Sequence, residues 1–431
     1  MIKKILVANR GEIAIRIIRT CKKMGIKTVA IYSNQDKDSL HVFMADEKVC
    51  TEALNSNDGY TNFNNIISAA KNTNCDAIHP GYGFISECYE FAELVVNNGL
   101  IWIGPNPKIM KKLKDKLCVK KIAKKLGIPI AQSFKLENIK SKDYPVIIKS
   151  VFGAGGRCIS VVNEESELNN KYLDIKNKSV KYFNSDEVYI EKFIDGYRHI
   201  EIQFMVDNFG NITILPERDC TIQRKCQKII EESPCSYLNK ELVNNLKKDT
   251  LKLIQGCEYN NIGTAEFIID KNNNYYFLEI NPRIQVEHAV SEMITDIDLI
   301  EYQIKISENQ RIENKILEPN KYAIECRINA EKPEKNFIPS SGVVKFCNFP
   351  LGANIRIETF IYNGIVINSC YDSLIMKIIC SGNTRKEAIN RIKQALEELI
   401  IDGIDTNIVF LQKIICSKEF EKGEYDLSYI K

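Results

Sequence analysis

Residues 277–288, FLEINPRIQVEH, constrain this chain more than any other stretch. Read with a period of two, Glu279, Asn281, Arg283, Gln285 and Glu287 fall on one side of an extended segment. Leu278, Ile280, Pro282, Ile284, Val286 and His288 fall on the other. A mostly apolar row would then anchor a row of two carboxylates, two amides and a guanidinium, a set suited to a metal ion and an anionic substrate. Taken alone, such alternation is more often a surface strand with one wet face. Pro282 has no N–H to give to a ladder, so the stretch reads as a strand running out into a site loop.

The neighbouring residues sharpen that reading. Residues 263–270 predict a strand, residues 271–274 a turn and residues 275–281 the returning strand. Such a hairpin can bring Glu266 and Glu279 together. Mg²⁺ is usually held by one or two carboxylates plus substrate phosphates, because it keeps several of its waters. Asn281 would then lie beside the metal, with Arg283, Gln285 and Glu287 farther along.

Elsewhere the pattern is that of a large α/β protein. A chain of 431 residues is long enough for two or three domains. A net charge of +3 gives no reason to expect a nucleic-acid or membrane surface. The 15 cysteines are scattered with no C-x-x-C, which speaks against a zinc site or disulfide framework and for a reducing compartment. No apolar run approaches the length of a membrane span, and the N-terminus is too short for a signal segment.

Residues 2–8 read as a buried strand, and Ile13, Ile17, Ile18, Cys21 and Met24 as one face of a helix ended by Gly25. Residues 28–32 read as the next strand. This β-α-β opening predicts a parallel, Rossmann-like sheet, and the missing G-x-G-x-x-G argues against a nicotinamide cofactor. Residues 109–126 predict one basic helix containing Lys116, for which a solvated face is the commoner meaning. Residues 144–149 read as a strand ending in Lys149, followed by a loop with Gly153, Gly155 and Gly156 and a strand over 158–162. Glycine-loop N–H groups can lie over phosphates with Lys149 as a point charge, although a plain glycine hairpin fits equally well. Residues 188–194 read as a strand able to offer backbone groups to a purine edge. Residues 217–228 are a charge-dense segment after an apolar strand, and a third section begins near Tyr322 and closes with a helix over 386–401.

Together these segments resemble the biotin carboxylase family of ATP-grasp enzymes. The likeness rests on Ala8-Asn9-Arg10-Gly11-Glu12-Ile13-Ala14, His79-Pro80-Gly81-Tyr82-Gly83-Phe84, Asn281-Pro282-Arg283-Ile284-Gln285-Val286-Glu287-His288 and Glu325-Cys326-Arg327-Ile328-Asn329-Ala330. Tyr371-Asp372-Ser373 and Ile401-Asp402-Gly403 add to it. The resemblance implies a Rossmann-like domain over 1–113, an ATP-grasp domain over 114–312 with a mobile glycine-loop lid at about 121–195, and a mixed C-terminal domain over 322–431. It implies that ATP activates bicarbonate to carboxyphosphate and that the carboxyl group passes to biotin. Lys116, Lys149, Gly155, Gly156, Glu191, Lys192, Ile194, His199, Gln223, Glu266 and Glu279 would contact ATP. Glu266, Glu279 and Asn281 would hold Mg²⁺, for which Mn²⁺ could substitute. Arg283, Gln285 and Val286 would hold bicarbonate, with Lys228 among the catalytic groups and Glu287 as general base. Arg327 would stabilise the biotin anion, with Tyr82 nearby.

A free glutamate, with a pKa near ~4.3, is a poor base, so Glu287 would need burial or developing charge to work. Val151, Phe152 and Ala154 interrupt the family's glycine run, Cys158 replaces another glycine, and Cys226 stands where a histidine is common. Both departures are expected to slow the enzyme, and they leave a non-hydrolysing scaffold as an alternative. Another ATP-grasp ligase is a further alternative, against which the Arg283 to Glu287 motif and Arg327 speak. Met376-Lys377 has the core of a biotin attachment site but falls in a run that reads as a buried strand. The carrier is therefore expected to be a separate protein, as is the carboxyltransferase. An acetyl-CoA carboxylase subunit acting in fatty acid synthesis, in the cytoplasm or an organelle stroma or matrix, fits best. A carboxylase of another acyl-CoA or of pyruvate is the alternative. Arg16 and Arg19 match the family's dimer interface, so a homodimer is expected.

Overall fold

The computed structural model describes residues 1–51, 58–153, 158–194 and 198–430. Gly155 and Gly156, expected over the phosphates, lie outside the described residues.

The first third is a parallel sheet in the order Glu47–Cys50, Lys27–Tyr32, Lys4–Val7, Ala77–His79 and Ile101–Trp102. The helix Gly11–Lys23 crosses it with Ile13, Ile17, Ile18 and Cys21 buried, as the apolar spacing requires. Strand order reverses between Lys4–Val7 and Ala77–His79, the place where an open α/β sheet leaves a crevice beyond its strand ends. There the Asn9 amide donates to the carbonyls of Pro80 and Tyr82, each at 2.7 Å. Gly81 between them has φ +64°, and a Cβ there would come within 3.0 Å of the Asn9 amide nitrogen.

A second, mainly antiparallel sheet runs Tyr275–Asn281, Asn261–Ile269, Arg198–Val206, Ile212–Arg224, Gln227–Ser233, Tyr322–Asn329, Leu374–Gly382 and Ile355–Thr359. Lys315–Ile316 joins it in parallel beside Ile212–Arg224. The ladder therefore continues unbroken from the central third into the section that opens at Tyr322, through pairing of Gln227–Ser233 with Tyr322–Asn329. A smaller four-stranded sheet, Ser133–Phe134, Val188–Lys192, Val146–Ser150 and Ile159–Val162, packs Val146, Ile148, Val162 and Ile190 against Leu168 and Ile175 of the helix Glu165–Phe183.

One expectation needs correction. Residues 109–126 are two helices, Pro107–Lys114 and Lys116–Lys125. Asp115 leaves the helical conformation and its carboxylate accepts from the Cys118 N–H at 3.0 Å, so a capping side chain ends one helix and starts the next. The charge-dense stretch forms the end of one strand and the start of the next. The strand Ile212–Arg224 carries Glu217, Arg218 and Asp219 buried, then turns through Lys225 and Cys226, both at positive φ, into Gln227–Ser233. The returning strand of the hairpin stops at Asn281, as its predicted range 275–281 requires. Pro282 cannot extend the ladder. The chain bends so that Glu287 immediately precedes the helix His288–Thr295, its start fixed by the His288 ring, whose Nδ1 lies 2.8 Å from the Gln285 carbonyl.

Candidate active site

Cross-strand register builds the centre of the site. Glu279 lies opposite Glu266, Glu266 opposite Glu201, and Glu201 opposite Arg218, across four neighbouring strands. Directly opposed residues share a face, so three carboxylates stand in a row that would repel itself without cations. Four cationic or ionisable groups meet it. Arg218, fully buried, donates to Glu201 at 2.9 Å. His199 Nε2 lies 2.9 Å from Glu266, while its Nδ1 faces the Gln223 amide nitrogen at 3.0 Å. The Lys116 ammonium lies 2.6 Å from Glu279. Lys228 reaches Glu201 at close range, Glu266 at 3.3 Å and Glu287 at 2.9 Å. Burial lowers the Lys228 pKa, but Glu201, Glu266 and Glu287 outweigh it and hold the ammonium well above its ordinary range.

Glu287 is the hinge of the site. Its side chain is 1% exposed and lies between Lys228 at 2.9 Å and Arg327 at 2.8 Å. Arg327 is held in turn by Glu231, which accepts from its Nε at 2.6 Å. Burial alone would raise the Glu287 pKa, yet Lys228, Arg327 and Arg218 drive it well below the usual carboxylate range. Of the two routes to a more basic Glu287, burial or developing charge, burial is thus outweighed here by its neighbouring cations.

The remaining motif residues converge by folding back, not along one extended row. Asn281 and Gln285 both donate to Glu266 Oε1, at 2.6 and 3.0 Å. Arg283 donates to Gln285 at 2.8 Å, to Asn281 at 3.2 Å and to Glu87 at 2.6 Å. Glu87 follows the crevice loop of the first sheet, so that loop is tied into the site. Val286 offers its carbonyl to Lys377 at 2.6 Å. The Tyr82 ring also faces the Lys377 ammonium, at 5.8 Å. Lys377 is completely buried in the strand Leu374–Gly382, as expected of a residue that carries no biotin.

A second cluster sits on the smaller sheet. Glu191, fully buried, pairs with Lys149 at 3.2 Å and, more closely, with Lys120. Lys192 turns away: its ammonium donates to the carbonyls of Asp143 at 2.9 Å and Tyr144 at 3.2 Å. Its backbone N–H goes to Gln132 and that of Phe193 to Pro145, leaving fewer backbone donors for a purine edge than the sequence suggested. Ile194 lies two residues beyond the strand end and is partly buried. Cys226 is exposed at its hairpin tip. Arg16, expected at an interface, is buried and donates to Glu292 at 2.9 Å and Asp298 at 2.8 Å, while Arg19 stays about half exposed.

Glu201, Arg218, Glu231, Lys120 and Glu87 were not singled out from the sequence. Register was the signal for Glu201, since it faces Glu266 once the strand Arg198–Val206 is paired. Nothing local marks the other four.

With this geometry in view, comparison with other proteins gives a consistent result. Residues 1–110 match the family model "Biotin carboxylase, N-terminal domain" and residues 325–431 the "Biotin carboxylase C-terminal domain". Residues 115–315 match the "Carbamoyl-phosphate synthase L chain, ATP binding domain". Biotin carboxylase 1 of Bacillus subtilis is 45% identical, over 100% of this chain and 98% of its own. The crystal structure of a biotin carboxylase–ATP complex from Campylobacter jejuni superposes with a TM-score of 0.97 at 38% identity, covering 100% of this chain and 98% of that one. The biotin carboxylase domain dimer of 2-oxoglutarate carboxylase from Hydrogenobacter thermophilus, solved with MgADP, ADP and bicarbonate, also gives 0.97, at 40% identity over 100% and 97%. A parallel first sheet, an acid row crossed by lysines and a buried Lys–Glu–Arg chain thus stand on a fold shared from end to end, and the chain belongs to the biotin carboxylase family of ATP-grasp carboxylases.

Proposed function

We propose that this chain carboxylates biotin held on a separate carrier protein, using ATP and bicarbonate through carboxyphosphate. The observation that carries this reading is Glu287, buried between Lys228 and Arg327 one residue after Val286 and beside the Glu266–Glu279 pair.

The residues present fit Mg²⁺. Two carboxylates face one another across a hairpin with Asn281 alongside, all oxygen donors, and Lys116 and Lys228 now neutralise them. When bound, the metal supplies positive charge to the transferring phosphoryl group. Lys116, Lys149 and His199 hold the nucleotide, with Gln223 orienting the His199 ring. Arg283, Gln285 and the Val286 backbone position bicarbonate. As a bicarbonate oxygen attacks the terminal phosphorus and the bond to ADP breaks, Glu287 takes the bicarbonate proton. For that, its two cations must turn toward the incoming anions, because their grip now keeps its pKa low. Lys228 turns to the phosphate side. The C–O bond of carboxyphosphate breaks, the departing phosphate takes the proton of biotin N1, and the biotin anion, faced by Arg327, receives the carboxyl group near Tyr82. The four-stranded unit closes as a lid that keeps water from carboxyphosphate.

For function we divide the chain at 1–113, 114–312 and 322–431, in keeping with the matched stretches. Family relationship supports a homodimer working with a carrier protein and carboxyltransferase subunits in the cytoplasm. No described helix is long and apolar enough to cross a membrane. The acceptor of the final carboxyl group is best read as acetyl-CoA. The 40% identity to a 2-oxoglutarate carboxylase domain supports a 2-oxo acid as the second reading.

ADP release with Mg²⁺ and bicarbonate, measured with and without biotin, tests the proposal. We expect biotin to stimulate turnover and Glu287→Gln to abolish it while ATP still binds. ATP binding without turnover, even with biotinylated carrier, would leave the scaffold reading in place.

A further inference from the structure

The catalytic turn is gripped from both sides by two cations on neighbouring strands. Arg327 and Lys377 are directly opposed in the ladder between Tyr322–Asn329 and Leu374–Gly382. Opposed residues share a face, so both side chains address the same object. Arg327 takes the carboxylate of Glu287 at 2.8 Å. Lys377 takes the carbonyl of Val286, in the peptide that joins it to Glu287, at 2.6 Å. One cation fixes the side chain and the other fixes the peptide that carries it.

Lys377 is also 3.3 Å from Glu12, in the first turn of the helix Gly11–Lys23. If neutralising Glu12 were its whole task, the shorter contact would go to the carboxylate. Instead the carbonyl contact is the shorter of the two. A completely buried ammonium is costly to keep, and here its best partner is a backbone oxygen of the catalytic turn.

We propose that Lys377 is a positioning residue that sets the direction of the Glu287 side chain by clamping the Val286 carbonyl. The proposal rests on the reading of Glu287 as the base. A displaced base loses turnover without losing nucleotide, since Lys116, Lys149 and His199 lie on other elements.

The test compares Lys377→Met, Glu12→Gln and the double variant, with Glu287→Gln as a separate control of the underlying reading. Turnover is measured as ADP release with Mg²⁺, bicarbonate and biotin. Lys377→Met should lower kcat by on the order of 100-fold, the scale of a displacement near 1 Å, with the ATP KM within about 2-fold. Glu12→Gln should stay within about 3-fold of the parent, since it leaves the carbonyl clamp in place. The double variant removes Lys377 together with its nearest carboxylate and should remain as slow as Lys377→Met. Near-parental kcat in the double variant would make Lys377 a mere counter-ion of Glu12 and overturn the proposal. A parallel rise in ATP KM would equally overturn it, by showing general damage to the site. If Glu287→Gln retains turnover, the reading of the base fails first, whatever the Lys377 variants do.

Discussion

Among single residues, Lys120 illustrates how burial and pairing compete. Burial pulls its pKa down to about 8, although Glu191 and its carboxylate hold it up. Above that pH the ammonium loses its proton and the nucleotide end of the site loses a positive charge. We therefore expect kcat/KM for ATP to fall on the alkaline side near pH 8, because that ratio reports ionisations of the free enzyme. Lys120→Arg should move the fall upward, and a pH profile unchanged by that substitution would remove Lys120 from the site. The sequence offered no way to see this residue. It lies in a lysine-rich helix in which Lys116, Lys120 and Lys124 recur at the same spacing, and only tertiary packing distinguishes the two that are buried or half-buried from the rest. Glu279 and Glu287 were legible because their motif is dense in unlike polar groups, and Glu266 because the predicted hairpin sets it opposite Glu279. Glu231 and Arg218 were not, since a lone charge in an apolar strand reads the same whether it supports a site or merely pairs.

At the scale of elements, the break at Asp115 decides where Lys116 points. A continuous helix over 109–126 would carry Lys116 on whatever face the period dictated. The cap restarts the helix and places Lys116 at its first position, 2.6 Å from Glu279. Asp115→Ala should cost about 1 kcal/mol of stability, the usual worth of an N-cap, and raise the ATP KM. Thermal melts and steady-state kinetics check both, and an unchanged KM would mean the two helices hold their angle without the cap. The hairpin of Asn261–Ile269 and Tyr275–Asn281 was readable in outline from its turn residues and alternation. The turn after Asn281 was not, because alternation continues in the letters after the ladder has stopped. Pro282 was the one local sign, and it fixes where a strand ends better than where the chain goes next.

At the scale of the whole molecule, buried histidines set the acid limit. Burial lowers His41 to about 4 and His79 to about 3, and drives His288 well below its ordinary value. Each stays neutral in the folded state, while in the unfolded chain it takes up a proton near pH ~6.5. Their contribution is thus fully present above that value and is lost as pH falls toward the folded values. For His41 the loss is about 3 kcal/mol between pH 6.5 and about 4. Melting temperature should therefore drop steadily below pH 6.5, well before the carboxylates of Glu266 and Glu287 are protonated. A flat melting curve down to pH 5 would contradict this. The Rossmann-like opening was legible from its β-α-β pattern. The union of the central and C-terminal sections in one sheet was not, since strand pairing between Gln227–Ser233 and Tyr322–Asn329 spans a sequence separation that no local pattern records.

That shared ladder also settles where this protein can change length. Glu266, Glu201, Arg218, Lys228, Arg327 and Lys377 sit on successive strands of the sheet, and a slip of one residue in any of these strands would turn its charges to the opposite face. Insertions and deletions are consequently confined to exposed turns between strands, such as residues 270–274. A change of length there keeps the same interval, counted in strands, between Glu266 and Arg327.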